Sequence, residues 1–351
     1  MINKIVKEDI EYITNHPLEW ENLRNKTVLI TGANGLIPSY MVHTILYLND
    51  IKKMNCNVIA WVRSEEKAFS RFKDYLQRSD FRIIVKDVCS QIEIEDEIHF
   101  IIHAASQASP IYYKLDPVGT LNANVLGTNN MLNIAYKKKV ESFLFFSSAE
   151  IYGDTTKAFT NEEDYGYLDP TKLRSCYAES KRIGETMCVS WFNQYHVPCK
   201  IVRPFHTYGP GIDLKDGRVF ADFISNIVNK QDIVLKSDGT DIRAFCYLAD
   251  AIVGFFIVLF NGENAQPYNL GNPFEEISIF ELSQVLVELF PDRGLEVVIN
   301  EQIRDKKYLK SPVKRNTPDI SRIRALGWEP KYSIREGFYR TIMSIEMDLG
   351  K

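Results

Sequence analysis

A phenol and a primary amine lie four residues apart at Tyr177 and Lys181, a spacing that puts both side chains on one face of a helix. A free tyrosine has a pKa of about 10 and is a poor base at neutral pH, so it needs a positive neighbour, which the lysine supplies. Upstream, Ser148 offers a hydroxyl that can hydrogen-bond a substrate hydroxyl, and Glu150 offers a carboxylate for acid–base work. We predict that Tyr177, Lys181, Ser148 and Glu150 are the catalytic residues.

A glycine-rich turn stands about 145 residues upstream, where an apolar run at 26–31 ends in Thr31-Gly32-Ala33-Asn34-Gly35. Glycine permits a tight turn and a close approach of the backbone to phosphate at a helix start. We predict that this turn binds a dinucleotide pyrophosphate through Gly32, Asn34, Gly35, Leu36 and Ile37. Together with the tyrosine–lysine pair, this predicts hydride transfer to or from a carbinol.

Two positions depart from the usual dinucleotide fingerprint. The third glycine would fall at Pro38, and proline suits a first helical turn because its missing amide has no helical acceptor there. The acidic residue that would hold the adenosine ribose is missing, and Arg63 stands at the end of the second strand instead. An arginine can stack on adenine or meet a 2′-phosphate, so the cofactor is NAD with NADP as an open alternative.

Three further groups are expected to complete the cofactor site. Asp87 and Val88, after the third strand, are placed to meet the adenine edge. Small residues after the fourth strand let the dinucleotide backbone approach, and the sixth strand ends just before a proline in the same crevice. These last cofactor-binding residues are Ala104, Ala105, Ser106 and Pro204.

Short apolar runs alternate with helical stretches along the first two thirds of the chain. The runs lie at 26–31, 58–62, 81–85, 100–103, 142–147 and 200–203, and the clearest helices lie at 118–138 and 177–195. This alternation predicts an α/β fold of the Rossmann type, a doubly wound parallel sheet that binds ligands at the carboxyl ends of its strands. We divide the chain into an N-terminal arm at 1–25, a dinucleotide-binding domain at 26–203 with 247–272, and a smaller C-terminal substrate-binding lobe at 204–246 and 273–351.

The composition excludes several classes of function. Hydrophobic residues make up 45% and charged residues 25% of 351 residues, with a net charge of -4, so no nucleic-acid partner is expected. No apolar run approaches the length of a membrane span. Six scattered cysteines without a Cys-x-x-Cys pair fit reduced thiols in the cytoplasm, and six histidines without metal-ligand spacing predict no metal site.

Several stretches carry a resemblance to a known family over about residues 26–328. They are 105–110, 176–177, 181–188, 216–219, 243–245 and 269–273. The chain resembles the extended short-chain dehydrogenase/reductases, the NAD-dependent epimerases, dehydratases and decarboxylases of nucleotide sugars. Within them it is most similar to the UDP-glucuronate decarboxylase (UDP-xylose synthase) subfamily.

The resemblance implies a reaction cycle and a set of substrate contacts. Tyr177 would take the proton of the sugar 4-hydroxyl while NAD takes the C4 hydride. The resulting 4-keto acid would lose its carboxylate, and NADH would return the hydride. The substrate-binding residues that it implies are Ser109, His206, Arg218, Val219 and Arg243. It also implies a homodimer built on helices 118–138 and 177–195, and by family analogy alone a role in polysaccharide biosynthesis.

Three departures from the subfamily keep alternatives open. Ala149 replaces a serine of the decarboxylases and an aspartate of the 4,6-dehydratases, which disfavours dehydration and agrees with 4-epimerases. His206 stands where an asparagine is expected, and Arg315 lies three places before Pro318 rather than two, which puts its grip on a substrate carboxylate in question. A nucleotide-sugar 4-epimerase is therefore the alternative, followed by a 4,6-dehydratase or a non-catalytic dinucleotide-binding sensor.

Overall fold

The computed structural model describes residues 2–300 and 313–350. Its strands are β1 Thr27–Thr31, β2 Asn57–Val62, β3 Phe81–Val85, β4 Phe100–His103, β5 Ser142–Phe146, β6 Cys199–Pro204, β7 His206–Tyr208, β8 Ile233–Leu235, β9 Ile242–Tyr247, β10 Pro267–Leu270, β11 Glu276–Ser278, β12 Val297–Ile299 and β13 Arg315–Asn316. Its α-helices are α1 Lys4–Thr14, α2 Leu36–Lys52, α3 Glu65–Arg71, α4 Pro110–Leu115, α5 Pro117–Lys138, α6 Ser175–Tyr195, α7 Val219–Val228, α8 Leu248–Asn261, α9 Ile279–Glu288, α10 Ser321–Arg324 and α11 Ile334–Leu349.

Seven of these strands form one parallel sheet in the order β10-β6-β5-β4-β1-β2-β3. The six predicted strands are all present, with bounds that differ by at most one residue, and β10 is an additional edge strand. The chain runs from β1 outward to β3 and then returns to β4 on the other side of β1. This reversal opens a crevice at the carboxyl ends of β1 and β4, and the predicted Rossmann-type fold is confirmed.

The sheet is covered on both faces because its strands are apolar at successive positions. In β1, Val28 and Ile30 pack into one hydrophobic cluster with α2 and α8, whereas Leu29 packs into the other cluster below α5 and α6. Alternate residues of a strand point to opposite faces, so an uninterrupted apolar run is what a doubly covered strand needs. The helix α8 is covered on all sides, with twelve buried residues from Leu248 to Leu259.

A smaller lobe follows the sixth strand. In it β9 pairs with β7 and β13 in parallel and with β11 in antiparallel fashion, and β8 pairs with β12. Helices α7, α9 and α11 pack around these short strands. The lobe lies over the carboxyl ends of the central strands, because β7 continues directly from β6. The exact division into domains stays a prediction.

The first helix, α1, is built into the fold through a buried acid. Asp9 accepts hydrogen bonds from the hydroxyls of Tyr40 and Tyr247 and pairs with Arg340 at 2.7 Å. Burial raises the pKa of Asp9, and these three partners oppose that effect. Asn3 caps α1 and also donates to the Ser344 hydroxyl at 2.7 Å. The residues at 4–14 therefore join α2, the end of β9 and α11.

Within the described residues, no helix is long and apolar enough to cross a bilayer.

Two histidines, His103 on β4 and His43 on α2, are buried. His103, at the end of β4, lies between the hydroxyls of Thr31 at 2.7 Å and Thr128 at 3.0 Å. Burial, helped by the Lys181 charge, lowers the pKa of His103 to about 3, and burial with the Arg71 charge does the same for His43. Both imidazoles are therefore neutral in the folded protein.

We predict that the free energy of unfolding falls as the pH falls from 6.5 toward 5. The unfolded chain binds a proton at His103 near pH 6.5, whereas the folded chain does so only near its pKa of about 3, so the stabilisation is complete above pH 6.5 and is lost below it. His103 alone should account for about 2 kcal/mol at pH 5. Urea titrations at both pH values check this.

The matched pair of variants is His103→Gln, which keeps two hydrogen-bonding groups for the threonines, and His196→Asn at an exposed histidine. The first should flatten the pH dependence and the second should leave it unchanged. An unaltered pH dependence in His103→Gln would contradict the assignment.

Candidate active site

An open cavity of about 2430 Å³ lies between the carboxyl ends of the central strands and the smaller lobe. Every predicted catalytic, cofactor-binding and substrate-binding residue lines it. Most of them follow the end of a parallel strand or belong to the lobe above, and α6 brings Tyr177 and Lys181 to the same place. Their individual roles stay predictions.

The turn between β1 and α2 requires a glycine at Gly32. Its φ is +65°, and a Cβ there would lie 2.8 Å from Ala105 Cα and 3.1 Å from the Ala104 carbonyl oxygen. The backbone at 104–105 thus lies directly against the turn, so no side chain fits at position 32. Pro38 is the third residue of α2, where its missing amide costs no helical hydrogen bond, as expected.

Polar atoms without partners face the same side of the cavity. Ser106 Oγ and Gln107 Oε1 are buried and have no hydrogen-bond partner within 2–300 and 313–350. A buried polar atom without a partner is costly, so both fit a ligand that brings hydrogen-bonding groups. With the Gly32 turn, they fit a dinucleotide lying across the ends of β1 and β4. Arg63 is exposed at the rim, beside the predicted adenosine end.

Tyr177 and Lys181 occupy the first two turns of α6 and face the end of β5. Burial raises the pKa of Tyr177 to about 12, opposed by a hydrogen bond with Ser148. Lys181 Nζ donates to the Phe146 carbonyl oxygen at 2.6 Å and lies 5.9 Å from the Tyr177 ring centroid. Burial lowers the pKa of Lys181 to about 7. Burial in this site therefore favours the neutral phenol and weakens the charge of the amine.

Ser148 and Glu150 follow β5 on a short 3₁₀ helix at Ala149–Tyr152. Ser148 Oγ caps this helix by accepting from the Glu150 amide at 3.2 Å. The Glu150 carboxylate accepts two hydrogen bonds from Arg174, at 2.7 and 3.2 Å. The predicted acid–base residue is thus one half of an ion pair whose other half the sequence analysis missed. The only sequence signal for Arg174 is its place three residues before Tyr177.

A second aromatic residue, Tyr113, was also missed. Its ring stacks on that of Tyr177 with centroids 4.9 Å apart, and its hydroxyl donates to the Ala108 carbonyl oxygen at 2.9 Å. The Arg174 guanidinium lies 5.9 Å above the Tyr113 ring. Tyr113 therefore fixes the plane of the Tyr177 phenol on the side away from α6.

Behind these groups lies a buried ion pair. Arg203 on β6 is 1% exposed and donates to Glu185 on α6 at 2.9 and 2.6 Å. Its remaining Nη1 donates to the Tyr152 hydroxyl at 2.8 Å and to the Glu162 carbonyl oxygen at 2.9 Å. The Ser147 hydroxyl donates to the same Glu185 carboxylate. This network joins α6 to β5, β6 and the 3₁₀ helix, and so sets the distance between Tyr177 and Ser148.

The predicted substrate contacts surround the outer half of the cavity. Arg218 pairs with Asp216 at 2.5 Å, and the Ser109 hydroxyl donates to the Asp216 carbonyl oxygen. Val219 opens α7 directly after Arg218. Arg243 donates to the carbonyl oxygens of residues 242, 313 and 314 at 2.8 to 3.1 Å, so its guanidinium also braces the lobe.

His206 stays neutral in this outer half. Burial, followed by the charges of Arg243 and Arg218, lowers its pKa well below the usual value. Its Nδ1 is buried and has no partner among the described residues. A neutral imidazole with one open ring nitrogen fits a hydrogen bond to a ligand.

The structure resolves where Arg315 points. Its guanidinium is bound by Glu276 at 2.6 and 2.9 Å, and the Thr317 hydroxyl donates to the same carboxylate at 2.7 Å. Arg315 does not line the cavity, whereas the next residue, Asn316, does. The one-residue shift seen in the sequence thus turns the arginine away from the site.

No group of three or more histidine, cysteine, aspartate or glutamate side chains is arranged to hold a metal ion in the described parts of the chain.

Comparison with known proteins places the chain in a family. The model of the NAD dependent epimerase/dehydratase family matches residues 28–271. UDP-glucuronic acid decarboxylase 6 of Arabidopsis thaliana is 34% identical over 319 residues, which cover 89% of this chain and 87% of the relative. UDP-glucuronic acid decarboxylase 1 of Xenopus tropicalis is 32% identical over 326 residues, which cover 92% of this chain and 73% of that relative. The chain belongs to the NAD dependent epimerase/dehydratase family, for which NAD is the cofactor.

Solved structures agree at the level of the fold. The UDP-glucuronic acid 4-epimerase of Bacillus cereus, solved with UDP-glucuronic acid and NAD, superimposes with a TM-score of 0.78 at 21% identity, over 92% of this chain and 99% of that one. The family resemblance inferred from the sequence is thereby confirmed, since relatives and structures both fall among epimerases, dehydratases and decarboxylases.

We predict that Gly32→Ala lowers the affinity for NAD by at least about tenfold. An L-residue at φ +65° costs about 1–2 kcal/mol, and its Cβ would push the turn off Ala105. Gly294→Ala is the control, because Gly294 has a similar φ of +61° but lies outside the cavity, and an added Cβ there would have no atom within 4 Å. Calorimetric titration with NAD checks both, and equal affinities for the two variants would refute the argument.

Proposed function

We propose that this protein converts a nucleotide sugar by transient oxidation at C4 with bound NAD, and that the reaction is the decarboxylation of UDP-glucuronate to UDP-xylose. The observation that carries the proposal is the meeting of Tyr177, Lys181 and Ser148 at the end of β5, beside the Gly32 turn. The 34% identity to UDP-glucuronic acid decarboxylase 6 over 89% of the chain supports this choice of reaction.

Each residue has a task in this reaction. Ser148 hydrogen-bonds the C4 hydroxyl, Tyr177 takes its proton, and Lys181 supplies positive charge that favours the phenolate. Bound NAD supplies reversible hydride transfer at C4. A ketone at C4 lies β to the carboxylate on C5, so loss of CO₂ leaves an enolate that takes a proton at C5. The Tyr113 stack holds the phenol in one plane.

A 4-epimerase of a nucleotide sugar is the second candidate. It is favoured by Ala149, which brings no hydroxyl to the site, and by the Glu276 contact that turns Arg315 away from it. In that reaction the same Tyr177, Ser148 and Lys181 act. The 4-keto sugar rotates in the site, so that the hydride returns to the opposite face of C4.

We further propose that the working unit is a cytoplasmic homodimer. Helices α5 and α6 pack side by side and expose large apolar side chains, which include Leu126, Tyr136, Ile183, Val189 and Tyr195. Such exposed apolar groups on neighbouring helices are typical of protein interfaces. The six cysteines are free thiols, which supports a reducing compartment.

The reaction is tested by incubating the protein with UDP-glucuronate and NAD and following the nucleotide sugar by NMR. We expect UDP-xylose, and we expect turnover to fall at least about a thousandfold in Tyr177→Phe, since proton transfer is lost. A 4-epimer without loss of CO₂ would replace the main proposal by the second. Full activity in Tyr177→Phe would refute the mechanism for both.

The dimer is tested by light scattering at micromolar protein. We expect twice the chain mass of 40.5 kDa, and the single-chain mass for Leu126→Glu combined with Ile183→Glu, because two charges would be buried at the interface. Ile51→Glu, at an exposed apolar residue of α2, is the control and should stay dimeric. A single-chain mass for the parent protein would contradict the proposal.

A further inference from the structure

The ion pair of Glu150 and Arg174 lies close to the Tyr177 phenol, because Arg174 lies over the Tyr113 ring that stacks on Tyr177. Glu150 is two residues after Ser148, and its charge raises the pKa of Tyr177. With the C4 hydroxyl on Tyr177 and Ser148, a substituent on the adjacent carbon C5 can be directed toward this ion pair, because Arg174 lies over the Tyr113 ring that stacks on Tyr177. Both side chains line the cavity, with 18% of Arg174 and 29% of Glu150 exposed.

A carboxylate on C5 would meet the negative charge of Glu150 there. Two carboxylates at close range repel, and a guanidinium between them removes the repulsion through charge-assisted hydrogen bonds. Arg174 already presents its two terminal nitrogens to a carboxylate at this place. Its position over the Tyr113 ring holds the guanidinium in the site.

Other cations in or near the cavity are held by other partners. Arg218 is bound to Asp216, and Arg243 is bound to three carbonyl oxygens of the lobe. Lys181 donates to the Phe146 carbonyl oxygen on the cofactor side. Arg315 is held outside the cavity by Glu276. None of these four contacts places a guanidinium or ammonium next to Glu150.

We propose that Arg174 is the residue that recognises the carboxylate of a hexuronic acid substrate, with Glu150 holding the guanidinium in place until the substrate binds. The proposal rests on the proposed function and adds the residue that selects the sugar. It assigns specificity to the segment before α6 instead of to the segment at 313–320. It holds equally for decarboxylation and for 4-epimerisation of UDP-glucuronate, since both need the carboxylate to be bound.

The test measures binding without turnover, in the full-length Tyr177→Phe protein with NAD present. Calorimetry gives the Kd values of UDP-glucuronate, UDP-glucose and UDP. We expect UDP-glucuronate to bind about tenfold or more tightly than UDP-glucose, the size of one bidentate charge-assisted contact. Adding Arg174→Gln should abolish this preference and change the Kd of UDP by less than about threefold.

Three further variants make the result specific. Arg174→Lys keeps the positive charge but loses the two-nitrogen contact of the guanidinium, so it should keep part of the preference for UDP-glucuronate. It replaces Arg174→Gln if that variant does not fold. Glu150→Gln removes the competing carboxylate and should tighten UDP-glucuronate binding. Arg315→Gln should keep the full preference. The inference is overturned if the preference is absent from the parent, survives Arg174→Gln, or is lost in Arg315→Gln.

Product analysis of the protein with Tyr177 intact separates this inference from the proposed function. UDP-xylose formation together with a preference that survives Arg174→Gln would overturn the inference and leave the reaction standing. An Arg174-dependent preference without UDP-xylose would support the inference and overturn decarboxylation.

Discussion

The buried pairing of Arg203 with Glu185 is the contact on which the geometry of the site depends. A guanidinium with 1% exposure cannot be left without its carboxylate, because an uncompensated buried charge costs about 3–5 kcal/mol. Glu185 lies four residues after Lys181 and eight after Tyr177, so the three form one stripe of α6. Anchoring the far end of that stripe on β6 sets the rotation and height of the whole helix. The reactive groups then have little freedom relative to Ser148.

The same burial shapes the charges of the unliganded site. The pKa of Tyr177 moves up to about 12 and that of Lys181 down to about 7, each toward its neutral form. Both changes have desolvation as their main cause, so they reflect the closed surroundings of α6 and not a particular neighbour. Keeping two ionisable groups out of water therefore lowers the stability of the folded protein.

Sequence patterns were sufficient for the sheet and for the residues at its edge. Apolar runs ending at Thr31, Val62 and His103 define strands, and whatever follows a parallel strand reaches the same edge. Gly32 was predicted correctly as a turn residue because it directly follows the strand β1. Patterns were not sufficient for partners that lie far apart in sequence, such as Arg203 with Tyr152 and Arg174 with Glu150. The direction of a side chain in an irregular segment is set by its contacts. The spacing therefore indicated that Arg315 is displaced, but it did not indicate that Glu276 is its partner.

The N-terminal arm gives the same lesson. The sequence predicts only an arm at 1–25, and Asp9 within it resembles an ordinary solvent-facing acid until Tyr40, Tyr247 and Arg340 are placed around it. Those three residues come from α2, the end of β9 and α11, and no local pattern connects them.

This arrangement has a consequence for synthesis on the ribosome. Helix α1 emerges early, yet Arg340, the cation beside its buried Asp9, is made more than 300 residues later. Until then the acid has the Tyr40 hydroxyl of α2 beside it but no counter-charge. The contact that ties α1 to α11 therefore forms only after the last helix has left the exit tunnel. Until it forms, the apolar surface that α11 covers is open to chaperone contact and to aggregation.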